Sequence, residues 1–173
     1  LLIWGGHVGF SDESLDTGWR YDAEAGEWRP MPAAPLGARS QAAGVWTGSG
    51  LLVWGGADCR ARYPYDTYDD GAACDPATDR WRMLPPAPID GRQPLAVWTG
   101  EEMIVWGSTD REQRRVDGAA FDPEADTWRP IAGAPIELTD VTASWTGEEM
   151  IVFGAALHGG NRAESRTAIG AAY

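Results

Sequence analysis

The sequence predicts an all-β protein assembled from one four-stranded unit, written about three and a half times. Three observations carry that expectation. The stretch VWTGSGLLVWGG at 45–56 returns as VWTGEEMIVWG at 97–107 and SWTGEEMIVFG at 144–154, and a clipped copy, LLIWGG, stands at 1–6. Nine of the ten tryptophans occupy three positions of that unit, spaced about 50 residues apart. Trp46, Trp98 and Trp145 precede a Thr-Gly pair; Trp4, Trp54 and Trp106 precede a glycine; Trp28, Trp81 and Trp128 follow an Asp-rich turn. Finally, the apolar runs are short and bounded by Gly, Pro and Asp, which is the length and punctuation of strands.

Each element follows in order. The first strand of a unit reads SQAAGVW (40–46), LAVW (95–98) or VTASW (141–145). A Thr-Gly turn then reverses the chain, because glycine permits the positive φ of a tight hairpin. The second strand, LLVW or MIVW, is apolar throughout, a pattern that predicts burial on both faces between neighbouring sheets. A variable loop leads to a third strand, GAAC (71–74) or GAAF (118–121). The turns DPATD (75–79) and DPEAD (122–126) owe their shape to Asp side-chain capping and the fixed φ of proline. The fourth strand begins at Trp81 or Trp128, and a Pro-rich crossover, LPPAPIDGR (84–92), returns to the next unit. Buried tryptophans between sheets account for the aromatic count; Trp19, which breaks register, is the best candidate for an exposed binding platform.

A period near 50 with four strands per unit is that of a propeller blade. Gly5-Gly6 and Gly55-Gly56 supply a double glycine after the second strand. Tyr21 and Phe121 supply a third-strand aromatic, Trp28, Trp81 and Trp128 a fourth-strand tryptophan, and Arg39 and Arg92 an arginine before the next first strand. In these residues the chain resembles the kelch-repeat β-propeller family over essentially its whole length, in particular its bacterial kelch and galactose-oxidase-central-domain group. Departures stand at Gly107-Ser108, Gly154-Ala155, Cys74 and Thr139. The resemblance implies blade parts at about 1–39, 40–91, 92–138 and 139–173, from a ring of six or seven blades. The chain lacks an initiator Met and its ends fall mid-blade, so it reads as a fragment of a longer protein. Its apolar terminal faces are expected to be covered by the remaining blades of the parent propeller or, less favoured, by a second copy.

Composition excludes some functions. With 26 acidic against 14 basic residues, the net charge of −12 repels phosphate backbones, so no nucleic-acid partner is expected. No run approaches the roughly 18 apolar residues of a membrane helix, so no membrane partner is expected. All 14 basic residues are arginine, which leaves no lysine for Schiff-base chemistry.

Functional residues concentrate on loops held by a rigid scaffold. In kelch propellers the loops after the second and fourth strands share one face. The loop ADCRARYPYDTYDD (57–70) gathers Arg60, Arg62, Tyr63, Tyr65 and Tyr68 with Asp69 and Asp70. Tyrosine offers stacking area with a hydroxyl, and arginine a fork for carboxylates, a combination suited to a carbohydrate or an acidic group. Arg111, Arg114 and Arg115 lie on the next loop, and with Arg39 and Arg92 they would make a positive patch that attracts an anion. A solvated, variable loop is the plainer reading of both segments.

His7 and His158 are the only histidines, too few and too far apart in sequence to indicate a metal site. The repeated turn carboxylates are explained by turn formation. No residues match the copper site of galactose oxidase, so no cofactor is expected. A bridge between Cys59 and Cys74 would close a loop of about 15 residues, worth roughly 3 kcal/mol in an oxidising compartment. Simple hairpin counting sets Cys74 opposite Trp54, several residues from Cys59.

The resemblance implies a non-catalytic recognition or scaffold module of an exported bacterial protein, extracellular or periplasmic, that binds a protein or glycan on its loop face. The alternatives are part of a sugar-active enzyme, oxidase- or mutarotase-like, with catalytic residues outside this chain, and a purely structural spacer. Fold alone does not choose among them.

Overall fold

The Trp-Thr-Gly triplets reverse the chain by the same device at each appearance. The Thr47 hydroxyl accepts from the backbone N–H of Gly50 at 3.0 Å, Thr99 from Glu102 at 2.9 Å, and Thr146 from Glu149 at 3.0 Å. The Asp-rich turns are equally uniform. The Asp22, Asp75 and Asp122 carboxylates accept from the N–H groups of Glu24, Ala77 and Glu124 at 3.0, 2.8 and 2.8 Å. These side chains satisfy turn donors that no strand partner reaches, so both kinds of turn can recur with changed neighbours.

The computed structural model describes residues 1–9, 13–58, 66–91, 94–109, 115–131, 138–156 and 168–172. Among them there are strands and no helix. The first sheet holds β1 (Leu2–Trp4), β2 (Gly18–Asp22) and β3 (Glu27–Pro30). The second holds β4 (Ala43–Trp46) and β5 (Leu51–Trp54), then, beyond a small ribbon of β6 (Ala57–Asp58) and β7 (Asp66–Thr67), β8 (Gly71–Asp75) and β9 (Arg80–Met83). The third comprises β10 (Leu95–Trp98), β11 (Met103–Thr109), β12 (Arg115–Asp122) and β13 (Thr127–Ile131). The fourth comprises β14 (Leu138–Trp145), β15 (Met150–Ala156) and β16 (Ala168–Ala172). Each of the four sheets is an antiparallel meander, and β4, β10 and β14 lie side by side. The arrangement is propeller-like and unclosed.

One expected strand is shorter than its sequence suggests. The run 40–46 is extended only from Ala43, because Gln41 adopts a left-handed φ of 57° that interrupts the ladder. Ser40 forms an isolated bridge to Ala57 instead.

The apolar second strands are buried on both faces in the second and third sheets. Leu52, Val53 and Trp54 are buried, as are Met103, Ile104, Val105 and Trp106. Leu52 and Trp54 face forward into a core with Met103 and Val105 of the next sheet, and Ile104 and Trp106 repeat this against Met150 and Val152. Two aromatic joints bind consecutive sheets. Trp4 meets Trp81 with ring centroids 6.0 Å apart, and Trp54 meets Trp128 at 5.6 Å. In each joint the fourth-strand indole also donates to the crossover of the preceding sheet, Trp81 to Pro32 O at 3.0 Å and Trp128 to Pro85 O at 2.9 Å. The second- and fourth-strand tryptophans therefore mark joints, whereas Trp46 at the end of the first strand is 49% exposed rather than buried between sheets.

In the first and fourth sheets the corresponding positions are exposed. Trp28 is 45% exposed at one end of the arc and Phe153 is 52% exposed at the other.

Candidate functional site

The loop 57–70 springs from the end of β5, and both of its stems are fastened to the crossover that precedes β4. The fastening centres on Arg39, whose side chain is wholly buried. Its Nε donates to Gly37 O at 3.0 Å, and its Nη1 to Gly55 O at 3.2 Å and to the Asp70 carboxylate at 2.6 Å. The guanidinium carbon lies 4.0 Å from the centre of the Tyr68 ring, while the Tyr68 hydroxyl donates to Ala38 O at 3.3 Å. A planar cation between a carboxylate and an aromatic face is a geometry that lysine cannot reproduce.

The double glycine makes this packing possible. Gly55 and Gly56 both take positive φ, 71° and 96°, and a Cβ on either would stand 2.6 Å from a backbone oxygen, of Gly91 and Ser40 respectively. Backbone bonds complete the knot, from Gly55 N to Asp70 O at 3.0 Å, Gly56 N to Gly91 O at 2.7 Å and Tyr68 N to Gly56 O at 3.0 Å. One polar atom remains over: Arg39 Nη2 is buried and has no hydrogen-bond partner.

These observations place three of the sequence-predicted residues. Arg39 and Tyr68 are brought together as a buried clamp, so Arg39 is corrected from a solvent-facing anion contact to a structural cation; its charge is spent on Asp70. Cys74 is buried with a free thiol, and its expected partner Cys59 lies outside the described residues. The register differs from simple hairpin counting. Cys74 pairs with Leu51, not Trp54, and so sits a strand's length from the Trp54↔Gly71 end where the loop emerges. Burial, followed by the nearby Asp79 and Asp75 charges, pushes this thiol up to about 11. Cys59, Arg60, Arg62, Tyr63, Tyr65, Arg92 and Arg114 lie outside the described residues. Arg111 and His158 do as well, whereas His7 forms an isolated bridge with Ser14. Trp19, the aromatic out of register, is 44% exposed.

A cleft of about 620 Å³ opens elsewhere, between the first two sheets, where Leu2, Trp4, Ala43, Trp46 and Leu51 meet Arg20. It runs along the inner edge of β1, at the place that β4 and β10 occupy beside β5 and β11. Among the described residues no group of three or more His, Cys, Asp or Glu side chains converges to hold a metal ion.

Sequence reasoning missed the partner of Arg39. The available signal was an aspartate directly before the third-strand glycine, Asp70-Gly71 and again Asp117-Gly118. The chain matches no family model and no curated protein. It is similar to the solved structure of YjhT, with a TM-score of 0.66 and 16% identity over 81% of this chain. It spans 52% of that chain, about half its length, and at such identity the likeness speaks for fold alone.

Proposed function

We propose that the chain is part of a kelch-type β-propeller, about three and a half blades of a six- or seven-bladed ring, that serves as a non-catalytic recognition module. Its ligand is a protein or a glycan bound on the loop face, with acidic sugars the preferred class. The Arg39 clamp is the observation that supports this reading. It fixes both stems of a loop whose sequence carries Arg60, Arg62, Tyr63 and Tyr65, and anchored stems reduce the entropy lost when a loop binds. Buried as it is, the clamp itself leaves ligand contact to the loop's other side chains.

A glycan array probed with the purified chain tests the proposal. Selective retention of sialylated or uronic-acid glycans is expected, with at least a tenfold loss in the Arg60→Ala/Arg62→Ala variant. Binding that is equal for neutral and acidic glycans, or unchanged in that variant, overturns the acidic-sugar assignment.

A further inference from the structure

Arg39 holds the loops of two consecutive sheets at once. Its backbone is tied to the loop that joins β1 to β2. The Arg39 N–H donates to Leu15 O at 3.0 Å, and the Arg39 carbonyl accepts from the Gly6 N–H at 2.9 Å. The Leu15 N–H donates in turn to Gly6 O at 2.9 Å, which closes the stem of that loop. The Arg39 side chain is tied instead to the loop that joins β5 to β8, through Gly55 O and the Asp70 carboxylate. Its neighbour Ser40 exchanges two backbone bonds of 2.9 Å with Ala57, so this second loop is held from the backbone as well.

We infer that Arg39 couples the two loops, so that loosening the stem of one loosens the stem of the other. Slack in the side chain would uncouple them, and the packing leaves little. The guanidinium is wholly buried, stacked 4.0 Å from the Tyr68 ring centre and bonded through Nε to Gly37 O, so a change of rotamer would have to displace its neighbours. The backbone end is pressed as closely, since a Cβ on Gly5 would stand 2.9 Å from Arg39 O. A displacement of Asp70 therefore reaches the Arg39 backbone, and from there Gly6 and Leu15. Two loops of neighbouring sheets open as one local unit, and a partner that stiffens either stiffens both. The coupling is equal in both directions, as any equilibrium coupling must be. It does not depend on what the loop face binds.

Amide hydrogen exchange of the wild type and of Asp70→Ala, Asp70→Asn and Gly5→Ala variants tests it. The Asp70 side chain is 38% exposed, so shortening it leaves no cavity in a core. Asp70→Ala is expected to speed exchange at Gly6, Leu15 and Arg39, across the sheet boundary, roughly tenfold. Asp70→Asn, which keeps an acceptor oxygen for Arg39, is expected to do so about threefold. The Val105 amide of β11 is expected to stay within about twofold of the wild type, which separates coupling from a loss of overall stability. Gly5→Ala pushes on Arg39 from the first loop and is expected to speed exchange at Gly55 and Tyr68, whose N–H groups hold the second stem. Asp70→Asn and Gly5→Ala keep the test decisive where Asp70→Ala does not fold. Acceleration confined to residues 55–70 in the Asp70 variants overturns the inference, as does a Val105 amide that speeds up as much as Gly6. Unchanged exchange at Gly55 and Tyr68 in Gly5→Ala overturns it as well.

Discussion

Trp54 lies over Gly71, its cross-strand partner, with no room for a side chain between them. A Cβ at Gly71 would stand 2.8 Å from Trp54 Cδ1 and 2.5 Å from the carbonyl oxygen of Val53. The same pairing recurs at Trp4↔Gly18 and Trp106↔Gly118. Gly71→Ala therefore displaces an indole that anchors an inter-sheet joint. It should lower stability by about 2–3 kcal/mol in urea unfolding. Gly44→Ala provides the contrast, since its Cβ would meet nothing nearer than 3.8 Å. That substitution should leave the urea midpoint nearly unchanged.

The arginines divide by burial. Arg39→Lys keeps the charge but loses the planar fork between Asp70 and Tyr68, and should lower stability by about 2 kcal/mol. Arg82→Ala removes an ion pair to Asp126 of 2.6 Å whose side chains are 47% and 54% exposed, and should change stability by less than about 1 kcal/mol. Thermal unfolding of the two variants side by side gives the comparison. Equal losses would contradict the clamp.

Acid should act through the Asp-rich turns. The Thr78 hydroxyl and then the Ala77 N–H hold the Asp75 carboxyl below the ordinary aspartate value of 3.8, and the Ala25 and Glu24 N–H groups do the same for Asp22. A depressed folded-state value means stability that is present above 3.8 and lost as pH falls below it through the folded value. Urea midpoints taken from pH 5 downward should fall, and Asp75→Asn, which retains an acceptor oxygen, should flatten the curve.

At the alkaline end the sign reverses. The Cys74 thiol, raised by burial to about 11 against an ordinary 9.0, ionises more readily once the chain unfolds. Its contribution is therefore intact below pH 9 and lost as pH rises towards 11. In a Cys59→Ser variant at pH 8, Cys74 should resist a thiol reagent in the native state and react promptly in urea. Rapid native-state labelling would show that the position is open.

The joints and turns were legible because they use residues with few substitutes. An indole has a fixed large volume, so its recurrence at one spacing marks a repeated gap between sheets. The turn threonines and aspartates bond their own neighbours and need no tertiary context. Arg39 was misread for the opposite reason. Its place before a first strand put it in a loop, but burial depends on how the chain 31 residues later wraps back to bring Asp70 against it. The Cys74 register failed on a smaller point, since the third strand begins its pairing at Gly71 opposite Trp54, which carries Cys74 down to Leu51. Gly71 itself looked like a strand-initiating residue, and only the position of the Trp54 ring shows that it is a seat.

The meander order of the sheets bears on how the molecule is made. The third sheet draws all its strands from residues 95–131, and its inter-sheet cores reach only the sheets on either side. A ribosome thus releases each sheet as a self-contained set of hairpins, with its loop-closure entropy confined to short separations. The second and third sheets each meet a predecessor that already displays a forward-facing aromatic to receive the fourth-strand tryptophan. The expected assembly is vectorial, so that a pause in translation after the second sheet leaves a partly built but native-like array rather than a tangle of unmatched strands.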